Sequence, residues 1–278
     1  MENYTINIKR RLVELTQPLV MGIMNITPDS FYSGSRTSTE HTIIQRTHQI
    51  LSEGADIIDV GAYSSRPFAD DIPMEQEWER LAFALNIIRS EAPDVIISVD
   101  TFRAEIAKRA VEQYGVDIIN DISMGDLDSD MFSTIAELQV PYILMHMRGD
   151  MHTMTSLTDY DNLVADIIKS LAIKVSELVS LGVADIIIDP GFGFSKTVEQ
   201  NYELLKSLRE FEILQRPLLV GISRKSMIYK PLEITPSEAL NGTTVLNTLA
   251  VMNGAKILRV HDVREAVEVV KLIELTNN

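Results

Sequence analysis

Polar residues stand where buried strands should end. In GVADIIIDPGFGF (182–194), the isoleucines Ile186, Ile187 and Ile188 run straight into Asp189, and Pro190 and Gly191 then stop the run. An ionised carboxylate is costly to bury without a partner, so Asp189 is expected to face a pocket. The arrangement recurs along the chain. Asp59 closes GADIID (54–59), Asp100 closes APDVIISVD (92–100), and Asn120 and Asp121 close YGVDIIND (114–121). Asn25 closes PLVMGIMN (18–25), Arg259 and His261 lie in GAKILRVHD (254–262), and Lys225 follows RPLLVGIS (216–223). Two kinds of chemistry are present. Asp100, Asn120 and Asp189 offer acceptors and one amide, a set that suits a flat heterocycle with adjacent N–H donors, because paired N–H bonds to a carboxylate are strong. Lys225 adds a donor for ring nitrogen or carbonyl oxygen. Arg66, Arg259 and His261 form a cationic set, joined by the amides and hydroxyls of NITPDSF (25–31), that suits a phosphate or diphosphate. Arg259 and His261 are two apart on a strand and so share a face. Asn25 offers an oxygen to Mg²⁺, which prefers oxygen ligands and keeps several waters.

The elements that must carry these groups are legible as a repeat. Branched apolar runs, with VPYILMH (140–146) among them, alternate with helix-length amphipathic stretches such as 74–91, 102–113, 160–180 and 236–253. Thr101, Thr158 or Asp159, and Thr235 ahead of Pro236 are expected as helix caps. From Asn25 to Arg259 the strand ends advance by 234 residues in seven steps, about 33 each, the size of a βα unit. This predicts an α/β protein with the (β/α)₈ TIM barrel fold, in which the carboxyl ends of the strands form the active-site face. The barrel is expected over 18–275 of a single domain spanning 1–278, with a short N-terminal β-hairpin in 1–17 against its bottom.

Composition narrows the function classes. With 25 basic and 40 acidic residues, the net charge of −15 argues against a nucleic-acid or anionic-membrane partner, both of which need a basic face. A local cation cluster can still bind a small anion. The absence of cysteine excludes disulfides and thiolate chemistry, and with no apolar leader at the start or membrane-length run, a cytoplasmic location is expected. No Ser-His-Asp pairing or HExxH spacing is apparent. His41 and His48 are expected to face solvent on the first helix, His152 to lie in a loop, and His146 to lie inside the barrel.

The order of MGIMNITPDSF, DVGAYSSRP, ISVDT, IINDIS, LMHM, DPGFGF, GISRKS and RVHDV resembles the dihydropteroate synthase family of pterin-binding TIM barrels over about residues 18–275. The resemblance implies an enzyme of folate synthesis that joins (7,8-dihydropterin-6-yl)methyl diphosphate to 4-aminobenzoate, with Mg²⁺, giving 7,8-dihydropteroate and diphosphate. It implies that Asp100, Asn120, Asp189 and Lys225 hold the pterin, with Ile122 and Met145 packed on its ring. Asn25, Arg66, Arg259 and His261 would handle the diphosphate and its metal, and with Lys225 would form the catalytic set. Ser65, Pro67, Phe194 and Ser226 would form the 4-aminobenzoate site, where sulfonamides compete. Homodimers through outer helices are implied as well. The chain departs from the family pattern at Tyr63, Ser65 and Phe68, which stand for Glu, Thr and Gly, and at Met124 and Ser195, where Gly is frequent. It also carries FYSGSRT (31–37) where a more Gly-rich turn is common. Rival readings are a methyltetrahydrofolate–corrinoid methyltransferase, a non-catalytic pterin-binding paralogue, and a Schiff-base aldolase using Lys225. The first lacks the anion-binding set, and the second would be expected to lose Lys225, Arg259 or Asn25.

Overall fold

Each branched apolar run forms a strand, and each amphipathic stretch returns as a helix packed outside it. The computed structural model describes residues 4–9, 11–26, 36–63 and 71–277. The hairpin strands β1 (Thr5–Ile8) and β2 (Arg11–Glu14) pair antiparallel. Then follow β3 (Leu19–Asn25), α1 (Arg36–Ser52), β4 (Ile57–Gly61), α2 (Met74–Glu91), β5 (Ile96–Asp100) and α3 (Ala104–Tyr114). Next come β6 (Ile118–Asp121), α4 (Met131–Leu138), β7 (Tyr142–Met145), α5 (Leu163–Ser180), β8 (Ile186–Asp189) and α6 (Val198–Lys206). A 3₁₀ turn (Leu208–Leu214) leads to β9 (Leu219–Val220), α7 (Ser226–Tyr229), a second 3₁₀ turn (Pro236–Glu238), α8 (Leu240–Met252), β10 (Ile257–Val260) and α9 (Val263–Asn277).

The strands from β3 onward form one parallel sheet in the order β8-β7-β6-β5-β4-β3-β10-β9. A parallel bridge between Ile188 and Leu218, with the Ile188 amide donating to the Pro217 carbonyl at 3.0 Å, joins its two ends into the predicted barrel. Because side chains alternate across a strand, each run has two faces. Val20, Ile58, Val99, Ile119, Leu144, Ile186 and Ile188 pack outward against the helices. Met21, Ile57, Ile118, Ile143, Ile187, Leu219 and Ile257 fill the barrel's lower interior, and Ile6, Ile8 and Leu15 of the hairpin close it from below. Burying a side chain of this size is worth about 1.5–3 kcal/mol, so the hairpin is a plug with its own hydrophobic anchor.

Two residues above that apolar layer the interior positions turn polar: Asp59 above Ile57, Ser98 above Ile96, Asn120 above Ile118, Asp189 above Ile187 and Arg259 above Ile257. Along the staggered register Asp59 stands opposite Ser98, and Asp100 opposite Asn120. Asn25 pairs with Gly61, which pairs with Asp100. Asp59 is not the strand end expected of it, since β4 runs on to Gly61. It lies one layer below the rim.

Two expected caps are displaced. Thr101 is buried and donates to Glu77 at 2.8 Å, while Arg103 stands at the N-cap of α3. Helix α5 is capped by Asn162, whose side chain accepts from the Ala165 amide, instead of by Thr158 or Asp159. Thr235 does form a reciprocal capping box with Glu238, but over the 3₁₀ turn that precedes α8. Among the described residues no helix is long and apolar enough to cross a membrane.

Candidate active site

Arg259 ties the mouth together. Its Nε donates to Asp59 Oδ2 at 2.6 Å and its terminal nitrogen to Asp100 Oδ2 at 2.7 Å. Asn120 Nδ2 donates to the same Asp59 oxygen at 3.3 Å. The anion-binding and heterocycle-binding sets, drawn separately from the sequence, therefore share one ion-paired cluster. Asp59 and Asn120 are buried, and the Arg259 and Asp100 side chains keep 18% and 13% exposure, so the pairs meet solvent only at the mouth. Burial raises Asp100 to about 7, against the pull of Arg259. For Arg259, burial lowers the pKa, but the Asp59 and Asp100 carboxylates outweigh it and hold the guanidinium above its usual value. Asp59 Oδ1 and Ser98 Oγ, directly opposite in register, are buried and have no hydrogen-bond partner among the described residues.

Asp189 ends β8 and accepts from the Gly191 amide at 2.7 Å. Burial raises its pKa, and Lys225 is the largest influence opposing that rise. Lys225 in turn is lowered to about 8 by burial. Its Nζ donates to the Phe192 carbonyl at 2.5 Å and lies 4.7 Å from the Phe194 ring centroid. Lys225 and Arg259 flank Gly221, where an added Cβ would come within 3.9 Å of Lys225 Nζ and 3.8 Å of Arg259 Cβ. A separate apolar cluster of Ile122, Met145, Met147, Met151, Met154 and Phe194 forms a soft wall, with Tyr63 and Phe102 packed against it. Ser226 opens α7 directly after Lys225 and is half-buried.

His261 departs from its expected cationic role. Burial, with Arg259 and Arg224 nearby, lowers its pKa to about 4, so the ring is neutral at neutral pH. Its Nδ1 lies 3.1 Å from Ser223 Oγ. His146 is inside the barrel as expected, and its neighbours include a residue the sequence reading passed over, Lys196. His48 pairs with Glu91 on the surface and His41 is exposed. Ser65, Arg66, Pro67 and Phe68 lie outside the described residues, as does most of NITPDSF beyond Ile26. The residues on either side of 64–70 are tied to one another and to α2 and α3. Tyr63 donates to Asp71 at 3.2 Å, and Arg103 joins Asp71, the Ile72 carbonyl and the buried Glu77.

Two departures from the family pattern have a backbone consequence. Met124 and Ser195 adopt φ of 56° and 51°, in the left-handed region where a side chain costs about 1 kcal/mol. Each is compensated. Met124 is buried in the main core, and Ser195 Oγ both accepts from the Arg148 amide and donates to its carbonyl, at 2.9 Å each.

As for metals, no group of acidic, histidine or cysteine side chains able to enclose an ion occurs among the described residues. The donor on offer at the rim is the neutral amide oxygen of Asn25, at the end of β3. That fits Mg²⁺ carried chiefly by a substrate's phosphate oxygens and water, with one protein ligand.

The chain is similar to known proteins over nearly its whole length. A model of the pterin-binding enzyme family matches residues 21–261. Dihydropteroate synthase of Escherichia coli K12 is 38% identical over 266 residues, covering 95% of this chain and 93% of the relative. The Yersinia pestis dihydropteroate synthase, solved with a sulfonamide drug complex, superposes with a TM-score of 0.90 at 34% identity, covering 99% of each chain. The Xanthomonas albilineans enzyme, solved with 4-aminobenzoic acid, gives a TM-score of 0.91 at 32% identity, again covering 99% of each.

Proposed function

The chain belongs to the pterin-binding enzymes, among the dihydropteroate synthases, and it joins (7,8-dihydropterin-6-yl)methyl diphosphate to 4-aminobenzoate with release of diphosphate; we propose that its residues divide that work as follows. Asp100, Asn120 and Asp189 accept and donate along the edge of the pterin, while Lys225 donates to its ring nitrogen or carbonyl. A carboxylate has lone pairs for several donors, so Asp100 can keep Arg259 and still receive a pterin N–H. Ile122 and Met145 pack on the ring face. Arg259 and the neutral His261, with Arg66 and Asn25, meet the diphosphate, and Phe194, Ser226, Ser65 and Pro67 receive 4-aminobenzoate. The observation that best supports this division is the convergence of Asp59, Asp100, Asn120 and Arg259 within 3.3 Å contacts at one mouth.

The chemistry needs no protein nucleophile. The methylene C–O bond breaks and its electron pair leaves with the diphosphate. The electron-rich dihydropterin spreads the positive charge left at the methylene. The arylamine nitrogen then attacks that carbon, a C–N bond forms, and the nitrogen loses its proton to solvent. Charge develops on the departing oxygens, so fixed donors aimed there do the catalytic work, at about 3 kcal/mol for a well-placed group. Arg259 suits this because its partners already hold it in place and no reorganisation is required. When bound at Asn25, Mg²⁺ supplies Lewis-acid stabilisation of the same leaving group. The soft wall of methionines and Phe194 keeps water from the cation.

Two coarser expectations complete the reading. Val245, Leu249 and Met252 lie on one face of α8 with 51%, 42% and 57% exposure, and Leu272 and Leu275 are exposed on α9, which packs against α8. This apolar face supports a homodimer through the outer helices, which sedimentation would measure. The cysteine-free sequence suits the reducing cytoplasm. The central test is a diphosphate-release assay with and without 4-aminobenzoate and with chelator. Release is expected to depend on both substrates and to fall when Mg²⁺ is removed. Release indifferent to 4-aminobenzoate, with no dihydropteroate formed, overturns the reading.

A further inference from the structure

The turn that joins Asp189 to Phe194 is folded around a cation of its own. Gly191, Gly193 and Ser195 alternate in the left-handed region, with φ of 75°, 81° and 51°. Gly191 admits no side chain, since a Cβ there would sit 1.9 Å from the His146 carbonyl oxygen. The resulting wrap points two carbonyls inward at the buried Lys196, whose Nζ donates to Gly191 O at 2.9 Å and to Phe194 O at 3.0 Å. Its third neighbour is His146 Nδ1 at 3.2 Å. Burial lowers His146 to about 2, so the imidazole is neutral and can accept. An ammonium has three N–H donors, and three acceptors meet it. Asp189, Lys225 and Arg148 are the charged groups acting on this lysine, and burial lowers it to about 7.

The outer side of the same turn faces the site. Phe192 O receives Lys225, and the Phe194 ring stands over the Lys225 ammonium. We propose that Lys196 is a positioning residue for the acceptor half of the site: by clasping the Gly191 and Phe194 carbonyls it holds the Phe194 ring where 4-aminobenzoate needs it. Lys196 touches neither substrate. Asp189 has an anchor outside the clasp, the pairing of β8 with β7, so the clasp governs the acceptor more than the pterin. The inference rests on the assignment of Phe194 to the 4-aminobenzoate site.

Two variants separate donors from bulk. Lys196→Met keeps the apolar stem without donors, and Lys196→Gln keeps two N–H donors without charge. Hydrogen exchange over residues 190–197 reads the clasp without any substrate, so it stands even if the parent shows no 4-aminobenzoate-dependent diphosphate release, a result that would reject the functional reading instead. In the methionine variant, exchange there and KM for 4-aminobenzoate are each expected to rise about tenfold, the scale of one lost bond to a charged group. The pterin Kd should stay within about threefold, and glutamine should recover most of both effects. Unchanged exchange, an unchanged KM, or KM and pterin Kd rising together overturns the proposal. If the methionine variant does not fold, His146→Ala decides. It removes one acceptor and should move exchange and KM in the same direction by about threefold, and no movement overturns the clasp.

Discussion

Replacing Arg259 by methionine keeps much of the side-chain volume and removes the charge that bridges two carboxylates. At an effective dielectric near 20, each contact of 2.6 and 2.7 Å is worth a gross attraction of about 6 kcal/mol. Desolvation offsets most of that when the pair forms, but it is not recovered when one partner is deleted. Breaking a buried pair in this way typically costs about 3–5 kcal/mol. At about 2 °C per kcal/mol for a chain of this size, Tm should fall by about 6–10 °C.

The loss should depend on pH. Asp100 already has a folded pKa near 7, above its ordinary 3.8, because burial outweighs Arg259. A carboxyl whose folded pKa is raised contributes stability that is fully present below the unfolded value and is lost as pH rises through the folded one. Without Arg259 the folded value climbs further. The penalty of Arg259→Met should therefore be small near pH 5 and approach its full size above about pH 8. Thermal and urea denaturation of parent and variant across that range measure it, and Asp59→Asn in the same background should restore at least about half of the loss. A penalty under about 1 kcal/mol at pH 8, or one equal at both ends of the range, would refute the account of a shared buried cation.

Asp189→Asn should weaken pterin binding by about 1.5–3 kcal/mol, one charge-assisted contact, and calorimetry with unchanged affinity would contradict that role. kcat/KM for the pterin substrate should rise through about pH 7 as Asp100 ionises and fall above about 8 as Lys225 loses its proton, a bell that a flat profile would exclude. Ser195→Gly relieves about 1 kcal/mol of left-handed strain but loses both bonds to Arg148, each worth about 1 kcal/mol, so chemical denaturation should show a net loss; a more stable variant would mean those bonds contribute little. Sulfonamides should compete with 4-aminobenzoate at Phe194 and Ser226, and noncompetitive inhibition would count against that placement.

The parts of this site that were legible in the sequence are those a strand displays by alternation. Ile57-Asp59, Ile118-Asn120, Ile187-Asp189 and Ile257-Arg259 each place an apolar residue low in the barrel and a polar one two positions higher, and period two is a property of sequence alone. What alternation cannot give is distance across the barrel. Arg259 on β10 and Asp100 on β5 are separated by two intervening strands in the sheet, and only closure brings them within 2.7 Å. That is why a cation assigned to the leaving anion turned out to be held by a carboxylate assigned to the ring, Asp100, together with Asp59. Lys196 was illegible for a different reason. A lysine between Ser195 and Thr197 reads as exposed loop, and two of its partners are backbone carbonyls, which carry no side-chain signature. The indirect trace was the serine at 195, where glycine is common in the family. A left-handed residue at that point is what bends the chain back onto its own ammonium, so the odd residue marks the fold of the turn rather than a change in its chemistry.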